Sequence, residues 1–190
     1  MNRIIPGTTL KYSEQARDEA FSMISPVLDA TGGLTLSQLS KLTGLEGSTI
    51  QNWIKRGWVS STHGKKYSEQ QVVRILLINM LRGSMKLDDI AGLMNYVNGD
   101  VEDTSDDIIA DVKLYNILCR IIFTAEDEGA FAPDTVRRLI KKELSDISQT
   151  VSSDAEKLHK SMFAMIMAYR SACLKHEMEK VLSSILNKQN

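Results

Sequence analysis

Residues 47–56 read Gly-Ser-Thr-Ile-Gln-Asn-Trp-Ile-Lys-Arg. Wound as a helix, this stretch turns Ile50, Trp53 and Ile54 to one side and Ser48, Thr49, Gln51, Asn52, Lys55 and Arg56 to the other. The outer set holds two hydroxyls, two carboxamides and two cations, with no acid. Hydroxyls and carboxamides both donate to and accept from base edges, cations neutralise phosphates, and a single helix fits the major groove of a duplex. Ser48, Thr49, Gln51, Asn52 and Lys55 are therefore the candidate base contacts. Arg56, with Lys41 before the helix and Lys65 and Lys66 after it, makes the candidate phosphate set. A polar helix face of this kind is also an ordinary solvated surface, so its use depends on how the neighbouring elements present it.

Those elements are legible on both sides. A first short helix is expected over Ser37–Thr43, with Leu36, Leu39 and Leu42 inward and Thr35 and Gln38 spaced as a capping box. Gly44 suits the left-handed position that ends it, and Leu45 fills the turn into the second helix, Gly47–Arg56, which stops at Gly57. Val59 to Tyr67 has the composition of a short β-ribbon, or wing, with Gly64, Lys65 and Lys66 near its tip. His63 in that ribbon is a third cation candidate for phosphate and has no second metal ligand near it. Ser68 and Gln71 repeat the capping-box spacing and open a helix over Glu69–Arg82 that is apolar almost all round, the expected hub of the core. A further helix over Leu87–Val97 starts with Asp88 and Asp89, which favour the positive end of the helix dipole.

The rest of the chain frames this stretch. Residues 1–12 read as an irregular arm and Glu14–Asp29 as a helix that Pro26 bends or ends. Residues 98–107 form a polar acidic connector. Asp103, Asp106 and Asp107 invite a Ca²⁺ reading, but their register does not fit an EF-hand loop. Three helices are expected after it: Asp106–Thr124, Pro133–Ser148 and a long one over Asp154–Asn187, packed as a bundle with a core of its own. Met162, Met165 and Met167 read as core before they read as an adaptable pocket. The divisions are residues 1–33 as arm and helix, 34–98 as the nucleic-acid-binding unit, and 99–190 as a helical region for dimerisation or effector sensing.

The ordered series Leu36, Leu39, Leu42, Gly44, Thr49, Ile50, Trp53, Gly57, Val59, Tyr67, Ser68, Val72, Leu76, Gly83, Leu87, Asp88, Ile90 and Leu93 resembles the DNA-binding domain of the MerR-type transcriptional regulators, over about Leu34–Tyr96. It is also similar to a group of uncharacterised bacterial proteins carrying such a domain within a larger helical chain. The resemblance implies a mostly α fold: a MerR-like winged helix-turn-helix with a short β-wing, followed by a helical bundle. It departs from the family pattern at Gln51 and Asn52, where those proteins usually carry an arginine and an aromatic residue. The wing is shorter, and Lys65 and Lys66 stand where a Tyr-Arg pair is usual.

Composition sets limits on the alternatives. Of 190 residues 43% are hydrophobic and 25% charged, with three prolines, as in a helical globular protein. No apolar run reaches the ~20 residues of a membrane span, and the N-terminus lacks a signal-peptide core. Cys119 and Cys173 fall within helical patterns and read as reduced, buried side chains, which fits the cytoplasm. The net charge of −1 hides an uneven distribution. Residues 35–82 carry seven bases and two acids, whereas residues 83–128 carry three bases and eleven acids. The positive stretch coincides with the candidate groove-reading helix.

No nucleophile elbow, P-loop, zinc-protease or dinucleotide motif is present, so no enzymatic activity and no cofactor or metal is expected. His159 and His176 lie too far apart on one helix to share a metal. The expected function is transcriptional regulation by binding double-stranded DNA, as a homodimer on a palindromic site. The alternative is a winged-helix module that docks a protein partner and does not bind DNA.

Overall fold

The computed structural model describes residues 3–62, 64–145 and 152–186. It is mostly helical: α1 (Ser25–Thr31), α2 (Leu36–Thr43), α3 (Gly47–Lys55), α4 (Glu69–Leu81), α5 (Leu87–Asn98), α6 (Asp111–Asp127), α7 (Pro133–Ser145) and α8 (Ser152–Leu186). Two short strands, β1 (Leu34–Thr35) and β2 (Lys66–Tyr67), pair antiparallel, with Leu34 opposite Tyr67 and Thr35 opposite Lys66.

The hub is α4. Ten of its thirteen residues are buried, because α2, α5, α6 and α8 all pack against it. Its start is fixed by the Ser68–Gln71 capping box, and that of α2 by the Thr35–Gln38 box, both with the two reciprocal bonds formed. Gly44 takes φ 71°, the left-handed turn that ends α2, and Leu45 is buried beneath it. One hydrophobic cluster runs from Ile5 through Trp53, Leu76 and Tyr115 to Ile166. The C-terminal helices therefore share the core of the rest of the chain and have none of their own. Met162 and Met165 sit in that shared core, fully buried.

Several sequence expectations need correction. The N-terminal segment is packed: Ile5 is buried, Ile4 bridges Lys11, and the Tyr115 hydroxyl donates to the Pro6 carbonyl at 2.7 Å. No single helix covers Glu14–Asp29. Two 3-10 turns, Glu14–Ala16 and Ala20–Met23, precede α1, and Pro26 sits in the first turn of α1, where its missing N–H has no role to fill. Among the described residues, the ribbon at 59–67 shows no strand pairing within itself. Its strand β2 pairs with β1, ahead of α2. Helix α6 starts at Asp111, five residues later than expected, because Asn98 clamps the Ile109 backbone outside the helix, donating to its carbonyl at 2.7 Å and accepting from its N–H at 3.4 Å. His63 and Ile147, and the expected helix ends at Ser148 and Asn187, lie outside the described residues.

Candidate nucleic-acid interface

Helix α3 is held by its inner face. Ile50 and Trp53 are buried, Ile54 is partly buried, and Gly47 abuts the Leu36 side chain of α2. Such burial stabilises by about 1.5–3 kcal/mol per large side chain and sets the roll of the helix. On the outer face Ser48, Gln51, Asn52 and Lys55 are exposed and Thr49 is half-exposed. The side chains of these five residues make no hydrogen bond or ion pair among the described residues. Their donors and acceptors are presented to solvent on one helix face.

The candidate phosphate cations divide into two groups. Lys41 and Lys65 are exposed and unpaired among the described residues. Arg56 lies over the Trp58 ring, its guanidinium carbon 5.1 Å from the centroid, which restricts the fork to one side of the helix end. Lys66 is exposed, yet its ammonium donates to the Thr31 carbonyl, where it helps hold β2 to the end of α1. A shallow groove of about 570 Å³ runs between α3 and the 61–67 segment. Gln51 and Ile54 line one wall, and Ser61, Thr62, Gly64 and Lys65 the other. The fold thus brings Gln51 and Lys65 to one concave surface.

Beside this surface lies the acidic connector. Glu102 accepts from the Ser61 N–H at 2.7 Å, and Gln71 donates from its side-chain amide to the Ser60 and Ser61 carbonyls at 2.9 and 3.1 Å. The segment leading to Lys65 is therefore pinned from below by α4 and from the side by a carboxylate. Further in, a cavity of about 480 Å³ is lined by Arg74, Asn98, Thr104, Asp107, Asp111 and Val112, among others. Arg74 is buried and pairs with Asp111 at 3.2 Å, while its Nε has no partner. Burial pushes the Asp111 carboxyl up, and Arg74 and Asn98 pull it partly back. Asp107 is pushed up to about 6 by burial and by the neighbouring Asp111 charge.

Arg74 is one of the seven bases in residues 35–82, yet its charge is paired inside the fold with Asp111. An arginine within Val72-Val73-Arg74-Ile75-Leu76 is itself the signal, since a cation in an all-apolar helix requires a buried acid. Among the described residues no group of three or more His, Cys, Asp or Glu side chains could hold a metal, and no helix is long and apolar enough to cross a membrane. Cys119 is buried and Cys173 partly exposed, both as free thiols.

No solved structure matches the chain. Among curated proteins it is similar to "Uncharacterized protein YkrK" of Bacillus subtilis (strain 168), 32% identical over 115 residues that take in 58% of this chain and 47% of that protein. The match thus spans about half the length of that relative. A family model described as "Domain of unknown function (DUF1836)" matches residues 23–118, from the turn before α1 into α6. This overturns the MerR-type resemblance: the matched stretch encloses all of Leu34–Tyr96, and the family to which it is assigned is a different one. Spacing of short capped helices around a Gly turn is shared by many helical hairpins, which is why the series misled. The chain belongs to the DUF1836 family, through a match that covers half of its length.

Proposed function

We propose that this protein is a double-stranded-DNA-binding transcriptional regulator. In this reading α2 and α3 act as a helix-turn-helix and the 59–67 segment as its wing. Ser48, Thr49, Gln51, Asn52 and Lys55 meet base edges, and Lys41, Arg56, Lys65 and Lys66 meet phosphates. The observation that carries the reading is the unpartnered, acid-free outer face of α3 beside a groove that Lys65 shares. Surface side chains that fold stability does not use, clustered on one rigid helix of groove-fitting width, are what base readout needs. One such helix makes few contacts, so a two-fold pair of copies on a palindromic site completes the reading.

Sites selected from random duplexes and titrated by fluorescence anisotropy test it. Affinity should fall with KCl at a log–log slope of up to about −3.6 per bound copy, about −7 for the two-fold pair, if all four cations of each copy meet phosphates, at about −0.9 each. Lys65→Glu with Lys66→Glu should weaken every sequence alike. Gln51→Ala or Asn52→Ala should instead relax preference at single base pairs by about 1–3 kcal/mol and leave the melting temperature unchanged. Binding indifferent to salt, or absent from every duplex, removes the proposal.

A second reading is favoured by one observation: Glu102 stands against Ser61, so a carboxylate lies on the flank where a duplex would pass. That flank suits a protein partner carrying bases. A stoichiometric protein that co-purifies in place of nucleic acid supports this docking role.

A further inference from the structure

Nine large hydrophobic side chains are exposed among the described residues, and six of them lie on the last part of α8: Leu174, Met178, Val181, Leu182, Ile185 and Leu186, each 48–59% exposed. Every residue from Leu174 to Leu186 is exposed. Contact with the body ends just before, where Ser84 donates to the Ala168 carbonyl and Ala172 lies against Gly83. The helix then runs free for about 20 Å at ~1.5 Å per residue. A helical end of this length without tertiary contact is marginal in water.

The apolar face changes sides along α8. At ~100° per residue, the buried Leu158, Met162, Met165 and Ile166 point almost opposite to the six exposed residues. On the side that faced the core, the free part carries His176, Lys180, Ser183 and Ser184. The outer stripe is therefore a separate face, which the body of the same chain cannot cover by extending its core.

We infer that this stripe pairs antiparallel with the same stripe of a second copy, about a two-fold axis between residues 179 and 180. Leu174, Met178, Val181 and Ile185 follow each other at 4-3-4 spacing, the seam of a two-helix coil. In the antiparallel register Leu174 meets Ile185 of the second copy and Met178 meets its Val181. No like charges face each other, and the Lys175 stem covers Leu182 of the second copy. A parallel pair instead sets Arg170 against Lys175 of the second copy on both flanks. Beyond Ser171 it also carries the seam through Met167 into Ala164, Lys160 and Lys157. Covering the four seam side chains and Leu182 on both copies removes several hundred Å² of apolar surface, with Leu186 turned away from the seam, and the lysine and glutamate stems extend this toward the ~1,200 Å² at which stable interfaces begin.

This pairing specifies the homodimer invoked for DNA binding but stands on α8 alone, and it is read without DNA. Sedimentation equilibrium of the full chain should give twice the chain mass. Met178→Glu with Val181→Glu should give a monomer that melts cooperatively. A monomeric parent chain, or a variant that stays dimeric, overturns the inference. Orientation is read in a Cys173→Ser background. Leu174→Cys protein mixed with Ile185→Cys protein should form a disulfide-linked dimer under mild oxidation, and neither alone should. Cross-linking of Leu174→Cys protein alone overturns the antiparallel register. Loss of DNA binding with an intact dimer would count against the regulator proposal only.

Discussion

Helices α3 and α4 are close in sequence and carry the same kinds of polar side chain to opposite ends. On α4, Gln71, Arg74 and Asn79 are each bound: Gln71 to the Ser60 and Ser61 carbonyls and the Thr62 hydroxyl, Arg74 to Asp111, and Asn79 to the Gly7 and Thr43 carbonyls at 2.9 Å each. On α3, Gln51, Asn52 and Lys55 bind nothing among the described residues. A carboxamide or cation with all its partners inside the fold contributes to stability and is unavailable to a ligand. One with none contributes almost nothing to stability and is free for recognition. The contrast separates residues whose loss should unfold the chain from residues whose loss should only change what it binds.

The sharpest way to break this contrast is Arg74→Ala. It leaves Asp111 buried without its counter-charge and should cost about 3–5 kcal/mol, or roughly 6–20 °C in Tm for a chain of this size. A calorimetric change below ~1 kcal/mol would mean that α4 is no more committed to the fold than α3. Next comes Gln71→Leu, which removes one cap bond of α4 and the donors to Ser60, Ser61 and Thr62. The expected cost is about 1–3 kcal/mol, with faster amide exchange in 60–62. Unchanged exchange there would show that Gln71 does not set the position of the 60–62 segment.

The smallest effect belongs to Asp107→Asn and depends on pH. The Asp107 carboxyl is raised from its ordinary 3.8 to about 6 in the fold. Its ionisation therefore opposes folding: the penalty is absent below about pH 4, grows between 4 and 6, and is full above 6. Asp107→Asn should raise Tm by a few degrees at pH 7.5 and leave it unchanged near pH 4. Because Asp107 is partly exposed, solvent screening keeps the effect modest. An equal gain at both pH values would trace it to packing and not to charge.

What the sequence revealed was local. Both capping boxes, the Gly44 turn and the all-round burial of α4 follow from residues within one or two turns of each other, and the helices around them stand within a residue or two of the expected bounds. What it concealed was distant. The partner of β2 is β1, thirty residues upstream, and nothing in Val59–Tyr67 marks which strand it joins. Ile108 and Ile109 read as the first turn of α6 until Asn98 takes the Ile109 backbone. Pro26 reads in the sequence as bending or ending a helix over Glu14–Asp29, whereas it stands in the first turn of α1. For the candidate interface, residue types and facing were readable on α3. The engagement of Lys66 with Thr31 and the proximity of Glu102 to Ser61 were not, since both cross long stretches of chain.

The first residues of the chain have a consequence for how the family-matched stretch is understood. Ile5 is sealed in the core, Gly7 at φ 76° lies so close to the Leu76 carbonyl that any Cβ would collide with it, and Asn79 reaches out to the Gly7 carbonyl. On the other side, Ile140 and Met162 close the same cluster from α7 and α8. The segment 23–118 is thus a recognisable signature inside a larger cooperative unit. Excised at those limits, it would lose both covers of its central helix and expose aliphatic surface that the intact chain never shows to water.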